Sequence, residues 1–222
     1  MSSGSADTNG LTAPVIADYS WEMPGANEYT VWSTDSNGDY ITNLIGAVSG
    51  TSTALESLES VFNQDLNGDG VIGLYAAPGT TLQIDVPMAG TSGSATIGTG
   101  ATLELTTADS ASVTFAGSTG TLRLDQPSTF TGTVSGFGAQ DAIDLPGIAF
   151  DAQTTLGYLP NGNQTGGILT LTNGTHSANI AFLGNYMASS FATVSDNSGG
   201  TMVVTEASQA GNQSLLTNPQ HA

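Results

Sequence analysis

The sequence predicts a mainly β protein, in which a small hairpin and helix precede a β-solenoid that ends in a hairpin cap. Short apolar pairs with one residue between them recur along the second half of the chain, as in strands with one buried face. Equivalent residues of alternate pairs, Leu103, Leu122 and Ile143, are 19 and 21 residues apart. Two strands in each step of about twenty residues are typical of a coiled β-solenoid.

The corners of this solenoid are expected at clusters of Gly, Ser and Thr between the apolar pairs, at residues 98–100, 117–120 and 136–138. An antiparallel β-sandwich is the alternative fold, because its strands follow one another at a similar spacing. Asp141 and Asp144 lie near a predicted corner. They are expected to be exposed turn and strand-end residues, with an ion held between coils as the alternative.

A β-hairpin is predicted in the N-terminal region. Glu28–Trp32 and Tyr40–Ile45 have the composition of strands, and the polar segment 33–39 between them contains Asn37-Gly38, a favoured turn pair. We therefore expect a hairpin that presents Trp32 and Tyr40.

One helix is predicted after the hairpin. Thr53 and Glu56 have the spacing of a capping box at a helix N-terminus. Leu55, Leu58 and Phe62, with Val61 beside them, then recur at helical spacing and predict one apolar face.

The C-terminal part predicts a cap on the solenoid. Ile168–Thr172 and residues 175–183 flank Asn173-Gly174 and predict a hairpin, and Thr201–Thr205 predicts a further strand. Such elements break the repeat and cover its open end. The predicted organisation is a flexible lead at 1–13, a tryptophan-containing region at 14–76, a solenoid with its cap at 77–205, and a polar tail at 206–222.

The chain is strongly acidic, with 19 Asp and Glu residues against one base, Arg123, and a net charge of −18. This balance argues against nucleic acid and against anionic membrane surfaces as partners. Because cations screen such a charge, a divalent ion is a natural partner. Cysteine is absent from the sequence, which excludes disulfides and Cys-ligated zinc. No stretch reaches the 18 apolar residues typical of a membrane span.

The segment from Asp65 to Gly73 (DLNGDGVIG) predicts a calcium loop. Side chains of Asp65, Asn67 and Asp69 alternate along it, and Val71 adds a backbone carbonyl; calcium prefers such oxygen ligands. The twelfth loop position is Ala76, which lacks an acidic side chain, so modest affinity is expected. Glu56 or Glu59 is a further candidate ligand, and a turn without an ion is the alternative.

The segment Asp35–Asp39 (DSNGD) shares the first half of this pattern, but Tyr40 stands where the second Gly would be. Asp and Asn favour turns for local reasons. A turn without an ion is therefore the expectation there.

These motifs carry a family resemblance. The loop resembles those of EF-hand and dockerin modules, and Trp32–Tyr40 with Phe62–Gly73 is similar to tryptophan-rich modules of secreted bacterial calcium-binding proteins. Segments 128–138, 141–146, 167–186 and 199–204, with the closing 214–222, resemble the C-terminal region of type I secreted, RTX-like proteins of α-proteobacteria.

The resemblance implies a secreted or cell-surface location. It also implies that the chain folds as calcium rises outside the cell, and that the extreme C-terminus serves as an uncleaved export signal. Residues 1–9 lack the pattern of a cleaved N-terminal signal. Upstream parts of such proteins include adhesins, proteases and polysaccharide-degrading enzymes, and no catalytic residue is carried over.

The expected function is a calcium-binding structural or adhesive module that is not itself an enzyme. Its partners are calcium and, as candidates, a surface polysaccharide or a second copy. One alternative is a carbohydrate-binding module that uses Trp21, Trp32 or Tyr40. A less favoured alternative is a solenoid glycan hydrolase or lyase with a carboxylate pair. A Ser-His-Asp site has little support, because His176 lies in a predicted strand and His221 in the tail.

Overall fold

The computed structural model describes residues 19–22, 26–35, 37–85, 87 and 93–206. The predicted lead at 1–13 and the tail after Glu206 lie outside these residues. The chain divides into two compact units, Met1–Leu74 and Tyr75–Ala222. Among the described residues, no helix is long and apolar enough to cross a membrane.

The first unit contains a three-stranded antiparallel sheet. Its strands are β1 (Tyr19–Glu22), β2 (Glu28–Thr34) and β3 (Tyr40–Ser49), in the order β1-β2-β3. The predicted hairpin is confirmed as β2 and β3. Its tip closes where the Asp35 amide donates to the Asp39 carbonyl at 2.9 Å, and Gly38 adopts a φ of +88°. Strand β1 was not predicted.

The predicted helix is confirmed as α1 (Thr53–Phe62), but its start differs from the prediction. Thr53 is the first helical residue, and Ser52 occupies the N-cap position without a side-chain cap hydrogen bond. The predicted capping box is therefore wrong. The helix ends at Asn63, which has a left-handed φ of +52°.

One face of α1 packs onto the sheet. Leu55 is fully buried with Tyr29, Val31 and Leu66, and Leu58 and Phe62 are partly buried against this cluster. Val61 is exposed, so the apolar face is narrower than predicted.

The second unit is a β-solenoid of about three turns, as predicted. One sheet contains β4, β6, β8 and β10, and the other contains β5, β7, β9 and β11. The strands are β4 (Leu74–Ala76), β5 (Thr81–Ile84), β6 (Ser94–Ile97), β7 (Ala101–Leu105), β8 (Ser112–Phe115), β9 (Gly120–Leu124), β10 (Thr133–Ser135) and β11 (Ala142–Ala149). A 3-10 helix spans Pro127–Thr129.

The strand register shows why the repeat has its period. Leu82, Leu103, Leu122 and Ile143 occupy one row across four parallel strands. In the other sheet, Ala95, Val113 and Val134 are similarly aligned. This parallel pairing confirms the solenoid and excludes the antiparallel sandwich.

Glycines allow the predicted corners to stack closely. A Cβ on Gly117 would overlap the backbone of Thr99 in the preceding coil. Gly136 has a φ of +71°, and a Cβ there would overlap the carbonyl oxygen of Phe115. Both positions therefore require glycine for space, and Gly136 requires it for its backbone conformation as well.

The cap continues both sheets with antiparallel strands. Strand β14 pairs with β10 in parallel and with β13 in antiparallel fashion, while β16 pairs antiparallel with β11. The cap strands are β12 (Thr155–Pro160), β13 (Gly166–Thr172), β14 (Ser177–Leu183), β15 (Phe191–Ser195) and β16 (Gly200–Thr205), with a 3-10 helix at Ala188–Ser190. The predicted hairpin and the strand at 201–205 are confirmed. His176 lies in the hairpin turn and not in a strand.

An aromatic cluster packs where the parallel coils meet the cap. Phe182 of β14 lies at its centre, with ring centroids 5.6 Å from Phe137, 5.5 Å from Tyr186 and 5.2 Å from Phe191. Phe182 is 1% exposed. The cluster therefore seals the apolar interior of the solenoid at its C-terminal end.

Candidate functional site

The predicted calcium loop follows α1 directly and is curled by its own side chains. Asp65 accepts hydrogen bonds from the amides of Gly68 at 2.7 Å and Gly70 at 2.9 Å, one on each carboxylate oxygen. Gly68 and Gly70 have φ values of +77° and +88°. Only glycine adopts this conformation readily, so the Asn-Gly-Asp-Gly sequence permits the tight path.

The two other predicted side-chain ligands continue the same pattern. Asn67 Oδ1 accepts from the Asp69 amide at 3.0 Å, and Asp69 Oδ1 accepts from the Val71 amide at 2.8 Å. Asp65, Asn67 and Asp69 thus alternate along one curled loop, and each accepts a backbone N–H from further along it. These hydrogen bonds give the loop its curled shape.

Asn67 also fastens the loop to the hairpin of the first unit. Its Nδ2 donates to the Gly50 carbonyl at 2.7 Å, and the Tyr29 hydroxyl donates to the Asn67 carbonyl at 2.9 Å. The same Nδ2 donates to Asp69 Oδ2 at 3.1 Å. These bonds fix the amide orientation. They leave Oδ1 as the Asn67 side-chain atom for a cation.

Glu59 of α1 holds the loop through hydrogen bonds to three of its backbone amides. It is 0% exposed, and its Oε1 accepts from the amides of Leu66 at 2.9 Å and Asn67 at 3.3 Å. Its Oε2 accepts from the Gly73 amide at 3.0 Å. Burial raises the pKa of the Glu59 carboxyl, the three amides oppose this rise, and the nearby negative charge of Asp69 adds to it.

The donor set of the loop is of the kind that hard cations accept. It offers two carboxylates, one side-chain amide oxygen and the Val71 carbonyl, and calcium accepts all three kinds of donor. Ala76 lies in β4 and has no side-chain oxygen. No group of three or more His, Cys, Asp or Glu side chains suited to a metal ion occurs in the described part of the chain. The remaining ligands would be water or backbone.

The similar segment at Asp35–Asp39 forms a turn. Asp35 Oδ1 accepts from the amides of Asn37 and Asp39, both at 2.9 Å. These amides lower the pKa of the Asp35 carboxyl. The Asp35 side chain thus caps the hairpin tip, a local role that is common for Asp in turns.

Trp32 and Tyr40, two of the aromatic residues considered for sugar stacking, do not form a flat platform. The rings of Trp32 and Tyr40 meet edge to face, with centroids 5.7 Å apart and planes at 86°. Tyr40 is 57% exposed and Trp32 is half-buried. Trp21 lies in β1, opposite Thr30. A sugar ring stacks on an exposed aromatic face, and these perpendicular rings present no common face.

Asp141 and Asp144 are buried, contrary to the prediction that they are exposed. They are 2% and 8% exposed, respectively. Both belong to the region where β11 joins the parallel coils to the cap, and one carboxylate oxygen of each lacks a hydrogen-bond partner. Burial raises the pKa of both carboxyls. For Asp144 the Arg123 guanidinium opposes this rise, while Asp196 and Asp125 add to it.

Arg123 lies at the centre of a row of acidic side chains. Glu104, Arg123 and Asp144 are in register on β7, β9 and β11. The guanidinium contacts Glu104 at 3.0 Å, Asp125 at 3.1 Å and Asp144 at 2.8 Å. The only Lys or Arg in the sequence therefore neutralises part of the charge of three carboxylates, two of which are in register with it on the adjacent strands.

The burial of Asp141 predicts that the contribution of its carboxyl to the free energy of unfolding falls as pH rises. A carboxyl whose pKa is higher in the folded than in the unfolded protein binds more protons when folded, so its contribution is lost as pH rises through the folded pKa. Asp141→Asn keeps an oxygen to accept from the Gly138 amide, now bonded at 2.7 Å, and carries no charge. We expect Asp141→Asn to gain stability relative to wild type as pH rises from about 4 to about 7.

Urea unfolding followed by far-UV circular dichroism across this pH range measures that difference. The exposed Asp151→Asn variant, which also removes one carboxylate charge, is the control for the change in net charge. A difference between Asp141→Asn and wild type that stays constant with pH would contradict the prediction.

Comparison with known proteins finds a match for only the first part of the chain. Residues 13–73 match the family model of the tryptophan-rich Synechocystis species C-terminal domain. No curated protein and no solved structure matches the chain. The matched segment ends at Gly73 and includes β1 to β3, α1 and the loop. The part of the chain that carries the candidate site is therefore similar to a tryptophan-rich C-terminal domain.

Proposed function

We propose that this chain is a secreted calcium-binding structural or adhesive module, whose first unit is stabilised by calcium outside the cell. The observation that carries the proposal is the shape of the 65–73 loop. Asp65, Asn67 and Asp69 alternate along it, Gly68 and Gly70 allow its tight path, and Val71 adds a carbonyl. This sequence of oxygen donors suits calcium better than a transition metal, which prefers nitrogen and sulfur ligands.

The attachment of the loop links the ion to the stability of the unit. Asn67 is hydrogen-bonded to Gly50 and Tyr29, and Leu66 belongs to the apolar core with Leu55. An ion on the loop would therefore stabilise a segment that the hairpin and the helix both hold. A net charge of −18 increases this effect, because a divalent cation also relieves repulsion among acidic residues.

The proposed secretion is consistent with this link between calcium binding and stability. In a compartment poor in calcium, the loop would be empty and the first unit less stable. In calcium-rich surroundings, binding would add RT ln(1 + [Ca]/Kd) to the free energy of unfolding. Extracellular calcium modules bind with Kd values of about 0.1–1 mM. Calcium at about 10 mM would then contribute about 1.4–2.7 kcal/mol.

We expect calcium to raise the melting temperature of the first unit by several degrees and Asp65→Ala to abolish that rise. The chain contains two tryptophans, Trp21 and Trp32, and both belong to the first unit. Thermal melts followed by tryptophan fluorescence, in EGTA and in about 10 mM calcium, therefore report this unit.

The matched control is Asp35→Ala, which changes the first Asp of the similar segment. It should lower the melting temperature somewhat and leave the calcium-dependent rise intact. A wild-type protein that does not respond to calcium would refute the proposed function. A response that survives Asp65→Ala would place the ion outside this loop.

A further inference from the structure

The 65–73 loop lacks the acidic residue that closes a twelve-residue calcium loop, because its twelfth position is Ala76. In an EF-hand that position supplies a bidentate carboxylate. Such a residue fixes the loop's exit and also binds the ion. Some other group must fix the exit of this loop, and the described contacts identify it.

Glu59 contacts the loop at two places that are far apart in the sequence. Its Oε1 accepts from Leu66 and Asn67, at the entry, and its Oε2 accepts from Gly73, at the exit. One buried carboxylate thus holds both ends together from the preceding helix. Hydrogen bonds to a charged acceptor are stronger than neutral ones, and leaving a buried charge without them is costly.

The same bonds determine what Glu59 does not do. Oε1 already accepts two N–H groups, and these occupy both of its lone pairs. Glu59 is therefore a positioning residue for the loop, and its Oε1 is not a ligand of the ion. Gly73, with a φ of +103°, turns the exit of the loop so that its amide points at Oε2.

We propose that Glu59 closes the 65–73 loop in place of a residue at its twelfth position, and so sets the loop's affinity for calcium without a terminal ligand. This inference rests on the proposed function for its calcium part. Its structural part, a loop that is closed before any ion binds, stands independently. The two parts require different measurements.

The structural part is tested by amide hydrogen exchange of the wild-type protein in EGTA, followed by NMR. The amides of Leu66 and Gly73 should be protected without calcium. The amides of exposed Thr53 and Ala54, in the first turn of α1 where no intrahelical acceptor is available, provide an internal reference. Rapid exchange at Gly73 in the wild type would overturn the inference, whether or not any variant folds.

The calcium part is tested with Glu59→Gln, which keeps the shape of the side chain but has one acceptor oxygen for the two ends. We expect the calcium Kd, measured by titration calorimetry on folded protein, to rise about tenfold or more. The Gly73 amide should also lose protection in EGTA. Val31→Ala, a core truncation on β2, is the control for general destabilisation, and its Kd should stay near that of the wild type.

The outcomes separate the two proposals. A wild-type protein without calcium affinity refutes the proposed function, and exchange at Gly73 still decides the role of Glu59. A Glu59→Gln protein that is folded by tryptophan fluorescence and has the wild-type Kd refutes the inference, even if calcium binds. If Glu59→Gln does not fold, Glu59→Asp, which is one methylene shorter, takes its place in the same titration.

Discussion

Replacing Phe182 with alanine is expected to lower the free energy of unfolding of the second unit by about 3–5 kcal/mol. Phe182 is buried among Phe137, Tyr186 and Phe191, at the junction of the parallel coils and the cap. Truncation loses the transfer free energy of the ring and leaves a cavity. Phe191 belongs to β15, Phe137 lies in the corner before β11, and the Tyr186 hydroxyl donates to the Phe137 carbonyl at 2.9 Å, which limits the collapse of these side chains into the cavity.

Urea unfolding followed by far-UV circular dichroism measures this loss, because most strands belong to the second unit. Phe150→Ala removes the same side chain from an exposed position and is the matched control. It should change stability by about 0.5 kcal/mol or less. Equal effects of the two substitutions would show that the aromatic cluster does not support the junction.

Replacing Arg123 with methionine is expected to cost about 2–3 kcal/mol at pH 8. Removing one partner of a buried ion pair costs about 3–5 kcal/mol, and the 35% exposure of the Arg123 side chain reduces this through solvent screening. The variant leaves Glu104, Asp125 and Asp144 near one another without a cation, and Asp144 is nearly buried. Methionine preserves much of the side-chain volume, so the loss reports mainly charge.

Two controls test this prediction: the same measurement at lower pH, and a second substitution. Burial raises the pKa of the Asp144 carboxyl, so this group protonates on acidification and the loss should be smaller at about pH 4. Arg123→Met combined with Asp144→Asn should be more stable than Arg123→Met alone at pH 8, because the most buried charge has gone. A loss that is independent of pH and unrelieved by Asp144→Asn would mean that Arg123 acts through packing.

The solenoid could be predicted because its side-chain period survives in the sequence. Leu103, Leu122 and Ile143 stack in one row, and the steps of 19 and 21 residues between them are the lengths of successive coils. Two-residue alternation within each pair then identifies the buried face. The cap strands β12 and β15 were missed, because they interrupt this period.

The ion-pair row carried a signal that the prediction overlooked. Glu104, Arg123 and Asp144 each follow a residue of the apolar row by one position. The same steps of 19 and 21 residues therefore align them on the opposite face of the sheet. Applying the period to polar as well as apolar residues would have placed Asp144 against Arg123. The burial of Asp141 has no such signal, since it depends on how the cap folds over the last corner.

The candidate calcium loop shows a different limit of prediction from sequence. Its four predicted oxygen donors follow from the local sequence Asp65–Val71, and local hydrogen bonds do curl this segment. The role of Glu59 depends on the angle at which α1 meets the loop, which is a tertiary property. The sequence offers two acidic residues on that helix, Glu56 and Glu59, and only the path of the chain distinguishes the one that faces the loop amides.

The change from parallel to antiparallel pairing at the C-terminal end of the solenoid limits how such a protein can change in length. Strands β14 and β16 accept β10 and β11 as neighbours, and no parallel coil can be added beyond them without displacing the cap. Tandem duplication of a segment of about twenty residues within β7 to β10 would instead add a coil and leave both ends intact. Variation in length is thereby directed to the middle of the stack.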